Sequence, residues 1–445
     1  MKIIIAGAGE VGTHLAKLLS AEGQDVILID PEESKLQAID SNYNLMTMTG
    51  RTTAFKVLKE AQTSKADLYI AVTPFETRNI VSCSMAKNLG ARKTVARIDN
   101  YEFMKPEYKP YFKSLGVDDL IYPEYFASTE IISAIRHSWV RNWFELYNGE
   151  LLLTGVKLRE NAKLINIQLK DLAQSGHPFH VSAIRRRHET IIPRGNDHLE
   201  AGDIVYFTTL KGNINKIIDA CGKHPVNIRK ILIMGGSRIA VRLADMLDDS
   251  YDIKIIETDK EKCLKLVNQL PSNCSVVNGD ARDLELLKEE GIANYDTFIA
   301  LTDSSETNIL ACLTAKESGV PKTIAEVENI QFIAAAENLN IGTVINKKLL
   351  ASSTIFQILL DFDSSNAKCL ALADAEVAEL VVKEGTKITK ASVKDLKLSQ
   401  DMTIGGLIRN GKGMLVDGHT QIMPGDHVLV FCLSGAIHKI EKMFN

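Results

Sequence analysis

The sequence predicts an α/β fold in which two doubly wound parallel sheets of Rossmann type are each followed by a small α+β domain. Three observations carry that expectation: a long internal tandem repeat, short apolar runs alternating with helical patterns, and a glycine-rich turn directly after the first run.

The repeat sets the organisation. Gly50–Asn100 aligns without a gap onto Gly279–Asn329, matching Leu58-Lys59-Glu60 with Leu287-Lys288-Glu289, Asp67 with Asp296, Thr73 with Thr302 and Asn79-Ile80 with Asn308-Ile309. Ala86-Lys87 returns as Ala315-Lys316, and Lys93-Thr94 as Lys322-Thr323. Upstream, Lys2–Asp30 parallels Lys230–Glu257. Downstream a different kind of sequence repeats. Val156–Leu172 resembles Leu380–Leu396, both ending in Lys-Asp-Leu, and Ala201-Gly202-Asp203 before Ile204–Phe207 parallels Pro424-Gly425-Asp426 before Val428–Phe431. The order is A–B–A′–B′, with blocks expected at 1–145, 146–225, 226–367 and 368–445, and Gly222-Lys223-His224-Pro225 marks the central joint. A chain of 445 residues suits three to four domains of about 100–150 residues.

Within A, Ile3–Ala6 reads as a short buried strand, followed by Leu15, Leu18 and Leu19 at helical spacing. Val26–Ile29 is a second strand and Leu68–Val72 another; a helical stretch from Asn79 to Leu89 then precedes Thr94–Ile98. Short apolar strands separated by helices make a parallel sheet covered on both faces. Block B reads as alternating runs such as Gly155–Leu158 and Val205–Thr208 with Gly-Asp turns. Ile131–Leu146, carrying Trp139, Trp143 and Phe144, has a helical pattern and reads either as a crossover between neighbouring lobes or as a core helix.

Composition narrows the function classes. The 24% charged and 45% hydrophobic fractions are those of soluble globular chains, and a net charge of -4 argues against a nucleic-acid-binding domain. The one sharp basic run, Arg185-Arg186-Arg187, is expected at a solvated strand edge or turn. The uncharged stretch Leu349–Leu360 falls short of the roughly 20 apolar residues of a spanning helix. The N-terminus enters a strand at once, unlike a cleavable signal peptide. Seven widely spaced cysteines form no metal or disulfide pattern and fit a reducing cytoplasm. A cytoplasmic protein is expected, reaching a membrane only through a partner.

The ligand expectation rests on Gly7-Ala8-Gly9-Glu10-Val11-Gly12 between strand and helix. The first glycine makes the tight turn, the second lets backbone approach a pyrophosphate, and the third lets helix pack on strand. The helix N-terminus adds free N–H groups and a partial positive charge. Asp30 ends the second strand, where a carboxylate accepts ribose hydroxyls and disfavours a 2′-phosphate. The strand ends Gly50-Arg51-Thr52 and Thr73-Pro74 should rim the same crevice, with Arg97 either reaching the ligand or forming a surface ion pair. In A′, Gly235-Gly236-Ser237-Arg238-Ile239-Ala240 keeps the first glycine but places Ser237 at the second and Ala240 at the third. Glu257 retains the acid, Asp280-Ala281 replaces Arg51-Thr52, and Glu326 replaces Arg97, so acids there raise the cost of a phosphate.

Met1-Lys2-Ile3-Ile4-Ile5-Ala6-Gly7-Ala8-Gly9, Asp30, the Gly50 loop, Ala71-Val72-Thr73 and Glu76-Thr77-Arg78-Asn79, repeated after a Lys-Asp-Leu/Gly-Asp domain, resemble the RCK (regulator of potassium conductance) family of Trk-type potassium uptake regulators. The resemblance covers essentially the whole chain. It implies a peripheral cytoplasmic subunit, each unit an N-lobe and a C-lobe, docked under a Trk-type membrane potassium transporter. It further implies NAD(H) or ATP/ADP bound in the N-lobes and a homo-oligomeric ring, expected to be a tetramer, that gates the pore. Carried over by position, the nucleotide contacts are Gly7, Gly9, Glu10, Val11, Asp30, Thr52, Thr73, Pro74 and Arg97. Those of the second unit are Gly235, Gly236, Ser237, Arg238, Glu257, Asp280, Ala281, Thr302 and Asp303, with Ser237 and Ala240 departing from the pattern. No catalytic residue and no metal site is implied.

Two other classes compete. An NAD-dependent oxidoreductase needs a proton-relay His, Lys or Tyr beside the nicotinamide. Block B offers His177, His180, His188 and His198, but His177-Pro178-Phe179-His180 reads as a turn and B′ has no counterpart cluster. The third class is a soluble small-ligand sensor acting through the C-lobes. A DNA-binding repressor is disfavoured because no helix-turn-helix segment remains once the four blocks are assigned.

Overall fold

The computed structural model describes the chain apart from residues 22, 41–44, 188, 363–367, 373, 374, 397, 434–442 and 445. The first sheet is built from β1 (Lys2–Ala6), β2 (Asp25–Asp30), β3 (Met46–Thr49), β4 (Leu68–Ala71), β5 (Lys93–Arg97) and β6 (Asp119–Ile121), ordered 3-2-1-4-5-6. All of its pairings are parallel; Ile4 of β1, for example, faces Ile27 of β2 and Tyr69 of β4. Ile3, Ile4, Ile5 and Ala6 are fully buried, as a central strand covered on both faces requires. Strand order reverses between β1 and β4, so a ligand crevice lies outside the carboxyl ends of these strands.

The first small sheet comprises β7 (Asn142–Leu146), β8 (Leu151–Lys157), β9 (Phe179–Arg186), β10 (Glu189–Ile191) and β11 (Ile204–Thr209), ordered 10-9-11-8-7 and antiparallel. The second parallel sheet repeats the doubly wound order as 14-13-12-15-16-17. Its strands are β12 (Lys230–Met234), β13 (Asp252–Glu257), β14 (Cys274–Asn278), β15 (Thr297–Ala300), β16 (Lys322–Glu326) and β17 (Thr343–Ile345). The second small sheet holds β18 (Lys368–Leu372), β19 (Ala375–Val381), β20 (Met402–Arg409), β21 (Lys412–Leu415) and β22 (His427–Leu433). The α/β class and its duplication are therefore as expected.

Ile131–Leu146 is not one helix. The helix Pro123–Arg136 stops, His137 stacks on Trp143 at 3.8 Å, and Asn142–Leu146 is strand β7, so the first small sheet begins before residue 146. The Ser138 hydroxyl accepts the Val226 N–H and the Arg141 N–H donates to the Gly155 carbonyl, which takes the backbone out of the helical ladder. Trp143 and Phe144 then follow strand preference. The crossover is made by Pro123–Arg136 itself.

Two compact units result, and neither coincides with half of the chain. The first contains Met1–Ala127 together with Asn346–Leu359; the second contains Ser128–Ile345 and Leu360–Asn445. In the first, helix Lys347–Phe362 supplies the fully buried Ala351 and Ile355 to the core formed by Ile3, Ile5, Leu15 and Leu28. In the second, Ser128 on the carboxyl half of Pro123–Arg136 donates to the Ile239 carbonyl at 3.3 Å. Helices are thus exchanged between the two parallel sheets.

The Gly-Asp turns of the small domains have a shared purpose. Asp203 and Asp426, both buried, each receive two hydrogen bonds from an arginine, Arg186 at 2.9 and 2.8 Å and Arg409 at 2.8 and 2.6 Å. The basic run accordingly sits at the end of β9 and in its turn, with Arg187 at φ 55°. Within the second unit the two small sheets share one core, where Leu153, Ala183 and Tyr206 meet Val377, Leu429 and Phe431. Gly405 permits that approach, since a Cβ there would lie 2.8 Å from Ser182 Oγ, Thr208 Oγ1 and Phe431 Cε2. Among the described residues no helix is long and apolar enough to cross a membrane.

Ile355→Ala should destabilise the first unit although the residue belongs to the second repeat. The expected loss is roughly 2–4 kcal/mol, read as faster amide exchange in β1 and β4.

Candidate functional site

The first crevice is shaped by three glycines with different duties. Gly7 has φ +114° and a Cβ there would come 3.1 Å from the Thr73 nitrogen, so the loop is pressed against the end of β4. At Gly12 a Cβ would stand 1.9 Å from the Gly7 carbonyl, closing the third position to any side chain. Gly9 has nothing within 4 Å of a Cβ, leaving open space over the loop where a pyrophosphate approaches the backbone. Helix Glu10–Ala21 begins here, with Glu10 and Val11 in its first turn, where N–H groups lack intrahelical partners.

Asp30 is buried and already engaged. One oxygen accepts the Ala8 N–H at 2.7 Å and the other the Glu32 N–H at 2.9 Å. The acid therefore fixes the glycine loop, and each oxygen keeps a further lone pair for a ribose hydroxyl. Glu10 forms an ion pair with Lys348 of the exchanged helix, which offsets its negative charge at the phosphate end.

Thr52, Thr73, Pro74 and Arg97 lie beyond the carboxyl ends of β3, β4 and β5, with Arg97 closing β5 itself. Thr52 is buried; its carbonyl accepts from Ser82 at 3.0 Å, and its hydroxyl has no partner. Arg97 pairs with Asp99 at 3.3 Å, the ion-pair alternative, but its buried Nε is unpartnered. Two orphaned polar atoms at strand ends and open space above Gly9 fit an adenine dinucleotide or nucleotide.

Asn79 was not expected as a site residue, although its recurrence as Asn308 was visible in the repeat. Its side chain accepts the Thr73 N–H at 3.0 Å and hydroxyl at 2.6 Å, and donates to the Thr73 and Arg97 carbonyls, both at 2.9 Å. It locks two rim strands together. Asn308 does the same for Thr302 and Glu326, at 3.0, 2.6, 2.8 and 2.9 Å.

The second crevice keeps a cavity of about 180 Å³ whose lining includes Gly235, Ser237, Glu257, Asp280, Ala281 and Thr302. Thr258 and Asp303 border it as well, while Gly236 and Arg238 lie in the loop and first helical turn beside it. Ser237 is the N-cap of helix Arg238–Met246: its hydroxyl accepts the Ala240 N–H at 3.4 Å, occupying a donor that a phosphate would use. Gly236 donates to Glu257 at 2.9 Å, and a Cβ there would strike Leu266 at 2.3 Å.

Two acids expected to oppose an anion are countered. Lys262 lies 2.7 Å from Glu257, and Arg282 binds Asp280 at 2.6 Å. Burial pushes the Glu257 carboxyl up, but hydrogen bonds from Lys262 and the Asp259 and Gly236 N–H groups prevail and hold it at about 2. Lys262 and Arg282 were legible only as ordinary surface cations.

The histidines do not converge. His180 is in strand β9 rather than a turn, 3.4 Å from the Thr403 hydroxyl, and desolvation lowers it to about 4. His198 faces Glu200 at 3.4 Å, and His188 lies outside the described residues. Among the described residues no group of metal-ligating side chains is present.

Paired doubly wound lobes with a glycine-loop crevice, each followed by a small antiparallel sheet, define the class of tandem RCK-type proteins. The TrkA-N domain model matches residues 3–123 and 231–347, and the TrkA-C domain model matches 153–222 and 377–445. The chain belongs to the TrkA family of Trk system potassium uptake proteins. It is 30% identical to the Trk system potassium uptake protein TrkA of Haemophilus influenzae, covering 100% of this chain and 98% of that protein. It is likewise 30% identical to a TrkA homolog of Archaeoglobus fulgidus over 100% of both. Among solved structures, the GsuK channel bound to NAD matches with a TM-score of 0.62 at 14% identity, covering 100% of this chain and 78% of that one. The GsuK RCK domain matches at 0.61 and 14%, covering 100% and 94%.

Since Glu257 is held below the unfolded carboxylate value of 4.5, it stabilises the fold above that pH. That contribution should drain away as pH falls from about 4.5 towards 2. In Glu257→Gln, melting temperature should vary less across this window than in the wild type.

Proposed function

We propose that this chain is a cytoplasmic nucleotide-responsive regulatory subunit, without catalytic activity of its own, that gates a Trk-type membrane potassium transporter. The observation that carries the reading is the first crevice: open backbone at Gly9, a glycine-only contact at Gly12, and the acid Asp30 already bracing the loop. NAD(H) or ADP/ATP is the ligand class. The pyrophosphate rests on the Gly7–Val11 turn, the ribose on Asp30, and Thr52, Thr73, Pro74 and Arg97 form the rim. The GsuK channel, bound to NAD in one structure and to ADP in another, shares this fold. The second crevice, with Ser237 capping its helix, takes a nucleotide more weakly.

The partner would be the membrane subunit of the transporter, with the chain peripheral on the inner membrane face and assembled as a homo-tetrameric ring. A nucleotide shifts such a ring only by binding one arrangement better than another. A tenfold preference per site is about 1.4 kcal/mol, and several coupled sites multiply the bias.

Calorimetric titration of NAD, NADH, ADP and ATP into the wild type and Gly9→Val tests the reading. Saturable binding should fall by more than about tenfold in the variant, because the valine fills the space a phosphate needs. Equal binding by both proteins would move the ligand out of this crevice, and no binding by the wild type would remove the sensor mechanism.

A further inference from the structure

At the opposite end of the second parallel sheet from its nucleotide crevice, six cations gather with few carboxylates to answer them. Lys322 opens β16, Lys316 lies in the last turn of helix Ser305–Glu317, Arg141 precedes β7, Lys157 closes β8, Arg159 follows it, and Lys223 lies in the central joint. All six are within electrostatic reach of Arg141 or are Arg141 itself; burial first, and then the neighbouring cations, lower the basicity of Arg141, Lys157, Lys223, Lys316 and Lys322.

The two repeats supply an internal control. In the first, the matching lysines are neutralised: Lys87 pairs with Asp118 at 2.8 Å and Lys93 with Asp119 at 3.0 Å. Sheet register places Asp119 opposite Val95 and Thr343 opposite Ile324, so Gly342 and Thr343 occupy the places of Asp118 and Asp119. The second copy has lost both acids and kept both lysines. Lys322 is only 9% exposed and among the described residues its ammonium reaches just the Ser138 carbonyl at 3.3 Å, while Lys316 reaches the Asn340 carbonyl at 2.7 Å. Thr343 is buried with an unpartnered hydroxyl. The acids nearby are Glu337, which Arg185 already binds at 3.0 Å, and Glu317 beside Lys316.

A buried lysine without a carboxylate is costly unless something anionic completes it. Exposure is graded, from buried Lys322 through half-buried Arg141, Lys157, Lys223 and Lys316 to exposed Arg159. That gradient suits a small ligand entering with its charge foremost, and a membrane surface cannot reach the innermost ammonium. We infer that this junction between the first small sheet and the second parallel sheet is a binding site for a soluble multivalent phosphate, separate from both nucleotide crevices. An anion here relieves the mutual repulsion of six cations and so fixes how the first small domain rests on the second parallel sheet. The inference does not depend on nucleotide binding at Gly9.

The test titrates inorganic tripolyphosphate into the full chain by calorimetry and thermal melting, with Arg159→Gln and Lys322→Met as variants. Wild-type binding should be saturable, weaken with ionic strength and raise the melting temperature. Each variant should lose about tenfold in affinity. Lys322→Met should also melt higher than the wild type without the anion, because it removes an uncompensated buried charge. Exposed Arg159 carries the test if Lys322→Met does not fold. Absence of wild-type binding would overturn the site. So would unchanged affinity in both variants, which places the anion elsewhere, or binding to anionic phosphatidylglycerol vesicles in place of tripolyphosphate.

Discussion

A parallel sheet exposes apolar side chains on both faces, and both must be covered by helices before it is stable. Here the first sheet meets that requirement with a helix encoded in the second repeat, Lys347–Phe362, whose Ala351 and Ile355 complete a core begun at Ile3. Pro123–Arg136 correspondingly leaves the first unit and ends in the second. Neither parallel sheet is therefore a closed product of its own repeat. The duplication is kept together by packing as well as by the peptide chain.

Against that common frame, the two copies diverge in their glycine loops while the asparagine and Gly-Asp devices that pin their strands are kept. Asn79 and Asn308 make the same four hydrogen bonds to within about 0.1 Å, and Asp203 and Asp426 hold the same arginine fork. Losing either device leaves a buried polar group unsatisfied. Gly9 and Ser237 differ because nothing in the fold demands a glycine there; a Cβ at Gly9 meets open space. Gly12 differs from Ala240 for another reason. The first loop is so tight that a methyl group would collide with the Gly7 carbonyl, whereas the second loop accommodates one.

Local signals explain what the sequence disclosed. β1, β2, β4 and β5 are short apolar runs, and the glycine turn and acid are defined by a few neighbouring residues. The Gly-Asp turns likewise mark the small sheets. Strand β3 was legible only by its end at Gly50-Arg51-Thr52, because Met46–Thr49 is a partly exposed edge, and β6 escaped because Asp119–Ile121 is three residues long. The aromatic run Trp139–Phe144 mimics helical spacing, and only the pairing of Asn142–Leu146 with β8 settles its second half as strand. Helix exchange leaves no trace in periodicity, since an apolar face does not state which sheet it covers. The partners of Glu257 and Asp280, Lys262 and Arg282, were invisible for a similar reason: surface cations are common, and their direction is a tertiary fact.

The exchanged helix also reaches the glycine loop of the first crevice. Glu10 stands in the first helical turn after the glycine loop, where phosphate charge would arrive, and its carboxylate holds Lys348 at the start of Lys347–Phe362. Burial lowers the basicity of Lys348, so this pair is sensitive to charge placed beside it. The first glycine loop is thus tied, through one ion pair and one buried helix face, to a helix encoded in the second repeat.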